Sequence, residues 1–290
     1  MQTANPILSR IDRAAAQGSG AGFAYDEGRS AYAAASGGVT TDPRSAGLPP
    51  QVEDLGVRPS GPAVTLNDVI VRTGVIFALC VVAAVAGWNL VQIPGIGSII
   101  VIGAVIATLV LGLVNAFKRA VSPVLIVLYA VSSGIMLGAI SWAYNQLALA
   151  SQYQGLVLQA VLATMTTFAV MLTLYSTKII KVTGKFVRVL IGAMIAYAVI
   201  GLASFVGALF GVGGGWGFYG VGGWGLLLCV AGVLLAAFSL MLDFEAIAQG
   251  VRMGLPERES WRMGFGLLVT LVWLYLEILR LLTIIASGRD

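Results

Sequence analysis

Seven near-continuous apolar runs, at 69 to 90, 96 to 117, 122 to 144, 155 to 175, 186 to 210, 224 to 242 and 263 to 285, alternate with short polar or glycine-rich segments. Each is long enough to cross about 30 Å of hydrocarbon at about 1.5 Å rise per residue. None shows the strict alternation of outer-membrane strands, so the runs read as helices. The pattern predicts an all-α polytopic membrane domain over 65 to 290, with seven transmembrane helices. Residues 1 to 64, rich in Gly, Ala, Ser and Pro with scattered charges, contain no run able to bury a core and read as a disordered cytoplasmic tail. No apolar h-region follows the first arginines, so no cleavable signal peptide is expected. TLNDVIVRTG, 65 to 74, reads as the start of the first helix. Thr65 or Asn67 can cap it, Asp68 suits the positive end of its dipole, and Arg72, one turn in, is expected to snorkel to the headgroups.

Composition agrees with the pattern: 58% of the 290 residues are hydrophobic and 10% charged, with mean hydropathy +0.93. A net charge of +4 would suggest nucleic acid in a soluble protein, but here the basic residues sort to one side of the predicted membrane, and no nucleic-acid partner is expected. Lys118 and Arg119 follow the second run, Lys178, Lys181, Lys185 and Arg188 surround the gap after the fourth, and Arg252, Arg258 and Arg262 follow the sixth. The other three connections carry no charge. The positive-inside rule then places the N-terminus in the cytoplasm and the C-terminus outside. Trp88, Trp142, Trp216 and Trp224 fall at the predicted outer ends, where indole rings prefer the interface. The seventh crossing is the one open to a re-entrant alternative, because its helix is polar. Cys80 and Cys229 lie inside apolar runs and read as small buried hydrophobes. Histidine is absent, which excludes His-metal sites, Ser-His hydrolysis and imidazole switches.

Inside the third run, SSGIMLGAIS sets Gly134 and Gly138 in GxxxG spacing, a pattern that lets a neighbouring helix backbone approach closely. Gln159, Thr164, Thr166, Thr167 and Thr173 in the fourth run read as hydroxyls and an amide bonded locally, with a polar pathway as the alternative. GVGGGWGFYGVGGWG, 211 to 225, has neither a preceding strand nor a following GK[ST], so it is no phosphate loop. It reads as a flexible outer loop held to the membrane by Trp216, Phe218, Tyr219 and Trp224.

Acid chemistry is confined to the last two runs, because no Asp or Glu occurs between Asp68 and Asp243. Asp243 ends the sixth run in LMLDFEAI, Glu245 follows it, and Glu277 lies within the seventh. A charge near the centre of a membrane helix costs roughly 2.5 to 3.5 kcal/mol on insertion scales, so it normally faces protein, a partner or water. Burial and a nearby cation act oppositely on a carboxylate's hold on its proton, so Asp243 and Glu277 are candidates for pH-dependent binding of a proton or cation. The competing reading makes Glu277 the partner of Arg280, three residues on along the same face, and Asp243 a marker of the cytoplasmic interface. Depth argues against direct pairing of the acids. Glu277 is about 15 residues, or about 22 Å, along a helix that starts near Arg262.

The segment FSLMLDFEAIAQGVRMGLPERESWRMGFGLLVTLVWLYLEILRLL resembles the Bax inhibitor family of multi-pass membrane proteins, in particular a bacterial subgroup. NPILSR, TLNDVIVRTG, YAVSSGIMLGAIS and LQAVLATM extend the resemblance over nearly the whole chain. It implies seven helices with the last one central, a bacterial inner membrane location, and a pH-sensitive calcium leak gated by paired acids on the sixth and seventh helices. Asp243 matches the sixth-helix acid. Glu277 matches the seventh-helix acid if LYLE is laid on the family's LYLD pattern. If LRLL sets the register, the acid's place falls near Thr270. The subgroup's Glu before the third-helix glycine is Ser133 here, and its Glu before the loop tryptophan is Ser260. The expected function is a pH-sensitive cation leak, with Asp243 and Glu277 in the pathway, Arg280 as charge partner, and Glu245 and Thr270 as further candidates. The alternative is a non-conducting interaction protein in stress response or membrane quality control. The expected partners are membrane lipid, calcium or other cations and a membrane protein. Enzymatic activity and a resident cofactor or metal are not expected, Ca2+ entering only in transit.

Overall fold

The computed structural model describes residues 62–287 apart from Lys181, Trp216 and Val221. The tail expected over 1 to 64 therefore lies, up to residue 61, outside the described residues. Among the described residues, seven helices are long and apolar enough to cross a membrane. They are α1 (Leu66–Leu90), α2 (Gly97–Phe117), α3 (Pro123–Ala150), α4 (Leu156–Ser176), α5 (Gly184–Leu209), α6 (Gly222–Arg252) and α7 (Glu259–Ser287). Local chemistry starts several of them. Thr65 caps α1 in a reciprocal capping box: its hydroxyl accepts from the Asp68 amide at 3.2 Å, and the Asp68 carboxylate accepts from the Thr65 amide at 2.9 Å. Pro123 opens α3, where its missing N–H is no loss. Thr183 caps α5 by accepting from the Phe186 amide.

Three helices outrun their apolar runs by a turn or more, α3 by six residues to Ala150 and α6 and α7 as follows. α6 continues well past Asp243 to Arg252, so Asp243 is an interior residue of the helix and does not end it. The apolar run ends at 242 only because the helix becomes amphipathic there. α7 is continuous over 29 residues, which removes the re-entrant alternative.

α7 is the central element. α1, α3, α4 and α6 pack directly on it, while α2 leans chiefly on α3, and α5 on α6 and the turns at Val212–Gly215 and Gly217–Gly220. One apolar cluster joins α7 to α6 and α4 through Leu274 and Leu279, Leu240 and Met241, and Leu156 and Ala160. Another joins it to α1 and α3 through Ile76, Ala130 and Leu268. Cys80 and Cys229 are free and buried, as their apolar settings suggested.

α1 and α3 make the closest helix pair, and the GxxxG glycines are the reason. A methyl group on Gly138 would collide with the Ala84 carbonyl and lie 2.7 Å from the Trp88 amide nitrogen. One on Gly134 would meet the Cys80 carbonyl and lie 2.6 Å from the Ala83 methyl. Backbones this close replace the hydrophobic drive that hydrocarbon cannot supply with dispersion contact.

The end of the bundle at which α1 begins is tied by an unexpected contact. Residues just before α1 pair with the α6–α7 connection: the Val64 amide donates to the Leu255 carbonyl at 2.8 Å and the Glu257 amide to the Pro62 carbonyl at 3.0 Å. Arg72 does not snorkel to headgroups. Its guanidinium ion-pairs with the Glu257 carboxylate, donates to the Glu257 carbonyl at 2.5 Å and to the Ser260 hydroxyl, and lies 5.6 Å from the Trp261 ring centre. The Glu257 carboxylate and carbonyl and the Ser260 hydroxyl together engage both terminal nitrogens of the guanidinium in fixed positions, which headgroups do not offer.

Gly138→Val is expected to destabilise the detergent-solubilised protein by about 1 to 3 kcal/mol through overpacking, read as a lower Tm. Gly103→Ala, where nothing lies within 4 Å, is expected to leave Tm unchanged or slightly raised. Arg72→Ala is expected to cost about 1 kcal/mol and to accelerate hydrogen exchange at the Val64 and Glu257 amides.

Candidate functional site

The carboxylates of the last two helices occupy two different places. Asp243 faces α7 beside Gly266 and Thr270. A methyl group on Gly266 would lie 3.7 Å from Asp243 Oδ1, and Thr270, four residues on, shares that face of α7. Asp243 Oδ2 is buried and, among the described residues, meets no hydrogen-bond donor. No ion pair to Asp243 occurs among the described residues either. Thr270 also donates back to the Gly266 carbonyl at 3.3 Å, which holds its hydroxyl on this face.

Glu277 is surrounded in a different way. It is 5% exposed. Its Oε1 accepts from the Tyr197 hydroxyl at 2.8 Å and from the Trp273 indole at 3.2 Å. Its Oε2 lies 3.6 Å from Arg280 Nη1, an ion-pair distance longer than a hydrogen bond. Gly232 on α6 creates the space, since a methyl group there would sit 2.7 Å from the Glu277 carboxyl carbon. The Tyr219 hydroxyl donates to Tyr197 at 2.9 Å, which continues the relay from loop to carboxylate. Arg280 stacks over the Tyr219 ring at 4.3 Å and approaches the Tyr144 hydroxyl with Nε at 3.5 Å. Both ions are thus held by protein groups from α3, α5, α7 and the glycine-rich segment.

The separation follows from helix geometry. Glu277 lies abreast of Gly232 and Asp243 abreast of Gly266 and Thr270, so the two acids stand eleven residues, about 16 Å, apart along α6. They share no proton. The residue facing Asp243 across the α6–α7 interface is Thr270, the position marked by the LRLL register, and not Glu277, the position marked by LYLE. Glu245 belongs to neither place: it accepts from Tyr175 and from Gln249, each at 2.9 Å, on the α4 side of α6. The fourth-run hydroxyls of Thr164 and Thr173 bond back to carbonyls of their own helix, each at 2.8 Å, so they line no polar path.

Sequence reasoning missed Tyr197, Tyr219, Tyr144 and Gly232. A lone hydroxyl inside an apolar run gives no periodic signal, and Tyr219 was expected to anchor the outer loop in the interface. Instead, the segment folds onto α5, where the Phe218 amide donates to the Ser204 hydroxyl at 2.9 Å and Gly217 adopts φ +62° against the Ser204 carbonyl. Ser133, in place of an acid, bonds the Ala130 carbonyl at 3.1 Å and adds no charge to the core. Ser260, the other departure, is wholly buried and accepts from Arg72, while the charge that Arg72 needs comes from Glu257. Among the described residues no three acids or cysteines converge as metal ligands.

No curated protein matches the chain. A family model described as Bax inhibitor 1 like matches residues 5–287, which takes in α1 to α7 and every residue of both acid sites. The chain belongs to the Bax inhibitor 1 like family of membrane proteins.

Proposed function

We propose that this protein is a pH-responsive cation leak, calcium being the cation implied by its resemblance to the family, with Asp243 as the titrating group. The observation that supports the reading is the unsatisfied Oδ2 of Asp243, buried between α6 and α7. A carboxylate oxygen without a donor in hydrocarbon either holds its own proton or draws in water or a cation, and exchange between these states alters how the two helices meet. Thr270 suits both states, because a hydroxyl can donate to the carboxylate or accept from the acid. Glu277 takes a structural role in this reading, since Arg280, Tyr197 and Trp273 already neutralise and bond it. The basic connections at one end of the helices support a cytoplasmic N-terminus in a bacterial inner membrane.

The sign of the pH response follows from charge. Ionised Asp243 attracts a cation and protonated Asp243 does not, so calcium flux into liposomes is expected to fall on acidification. Asp243→Asn is expected to lower flux at neutral pH about tenfold, or about 1.4 kcal/mol in barrier, and to flatten the pH profile. A wild-type profile retained by Asp243→Asn would sink the assignment. Glu277→Gln is expected to keep the profile but to cost on the order of 2 kcal/mol of stability, with Tyr197→Phe costing about 1 kcal/mol, both read as Tm in detergent.

A second reading, a non-conducting protein that regulates partners in stress response or membrane protein quality control, draws support from the pairing of residues 62–64 with the α6–α7 connection. That pairing links a partner-binding tail directly to the last two helices. Removal of residues 1 to 60 separates the two readings: a leak retains its flux, whereas a regulator loses its partner-dependent effect.

A further inference from the structure

Between α1 and α4 a cavity of about 460 Å3 opens at the side of the helix bundle, within the roughly 300 to 1,000 Å3 usual for small-molecule sites. Among the described residues α1 and α4 make no close approach to each other, so the gap between them is a lateral mouth. Its walls run from Phe77 to Trp88 on α1 and from Val157 to Met165 on α4, and its floor is formed by Leu271, Val272 and Tyr275 of α7. No charged residue lines it.

The polar groups that do reach it are already engaged. The Ser141 hydroxyl pairs with the Tyr275 hydroxyl at 2.6 Å and lies 2.6 Å from the Leu137 carbonyl, while Thr164 donates to the Ala160 carbonyl at 2.8 Å. With these hydroxyl hydrogens already committed and no charge in the lining, the cavity offers little to hold an ion or a water column, which sets it apart from the Asp243 site. The rim passes without a break into the lipid-facing surface: Val81, Val85 and Val161 are 47%, 62% and 41% exposed.

Length identifies the occupant. Phe77 to Trp88 covers twelve residues, about 16 Å of helix, close to half of the roughly 30 Å hydrocarbon core. The walls come from the halves of α1 and α4 remote from the basic connections, so the groove spans about one leaflet. We propose that this groove is a binding site for one acyl chain of a membrane phospholipid, which enters between α1 and α4 and packs against the central helix. The chain fills a void that would otherwise leave α7 without contact on one side. Leu271 and Val272, each 8% exposed, then touch lipid although they belong to the core helix.

Photolabelling of the full-length protein tests this. Vesicles of phosphatidylcholine carrying a mid-chain diazirine on one acyl chain are irradiated, and the adducts are located by peptide sequencing. Adducts on Leu271, Val272 or Tyr275 are expected, because a lipid chain reaches these residues only through the groove. Val161→Trp and Val85→Trp, at exposed rim positions, are expected to reduce the floor adducts at least about fivefold. Adducts on Leu109 of α2, 62% exposed and outside the groove, are expected to stay constant, and an unchanged Tm certifies each variant as folded. Floor residues without adducts in the wild type, floor adducts unchanged by both folded rim variants, or floor adducts from a diazirine fatty acid but not from the phospholipid would each overturn the site.

Discussion

Hydrocarbon offers no donor, acceptor or counter-ion, and this protein is built around a central helix that nevertheless carries ions. The solution is dense local compensation: Glu277 receives a tyrosine, a tryptophan and an arginine, and Arg280 in turn receives an aromatic face. These partners come from α5, α7 and the glycine-rich segment, so the ion pair also specifies how those segments assemble. Loss of one partner leaves a buried charge exposed to lipid rather than to water, which is why the arrangement selects a single packing.

Against that background Asp243 stands out by contrast. Each acid has one buried oxygen without a hydrogen-bond donor, but that of Glu277 faces Arg280, whereas among the described residues Asp243 has no ion pair. Two carboxylates on adjacent helices thus differ in their surroundings, one facing an arginine and bonded through a single oxygen, the other with no ion pair among the described residues. Which of the two carries chemistry is decided by surroundings and not by residue type.

The seven spans, the Thr65 cap, the free cysteines and the glycine contact in α3 were all legible in the sequence, because each depends on local period or spacing. The pairing at Asp243 was only half legible. It depends on the antiparallel offset between α6 and α7, and Thr270 or Glu277 could face Asp243 until that offset was known. The end of an apolar run also hid the true end of α6, since DFEAIAQGVR continues as an amphipathic helix. Arg72 illustrates a different limit: a cation one turn inside a membrane helix has two outlets, headgroup or protein, and its partner Glu257 is 185 positions away. Tyr197 and Tyr219 left no trace, because a single hydroxyl on an apolar face does not change the pattern.

The hydrogen bonds from residues 62 and 64 to the α6–α7 connection have a mechanical meaning. The chain before α1 is stitched to the hairpin that joins the two acid-bearing helices, at the same end of the bundle where Arg72 grips Glu257. Tension applied to the N-terminal segment is delivered first to that hairpin and only then to α1. The segment therefore joins the start of α1 to the α6–α7 hairpin, so that the two ends of the membrane domain's chain order share one anchor.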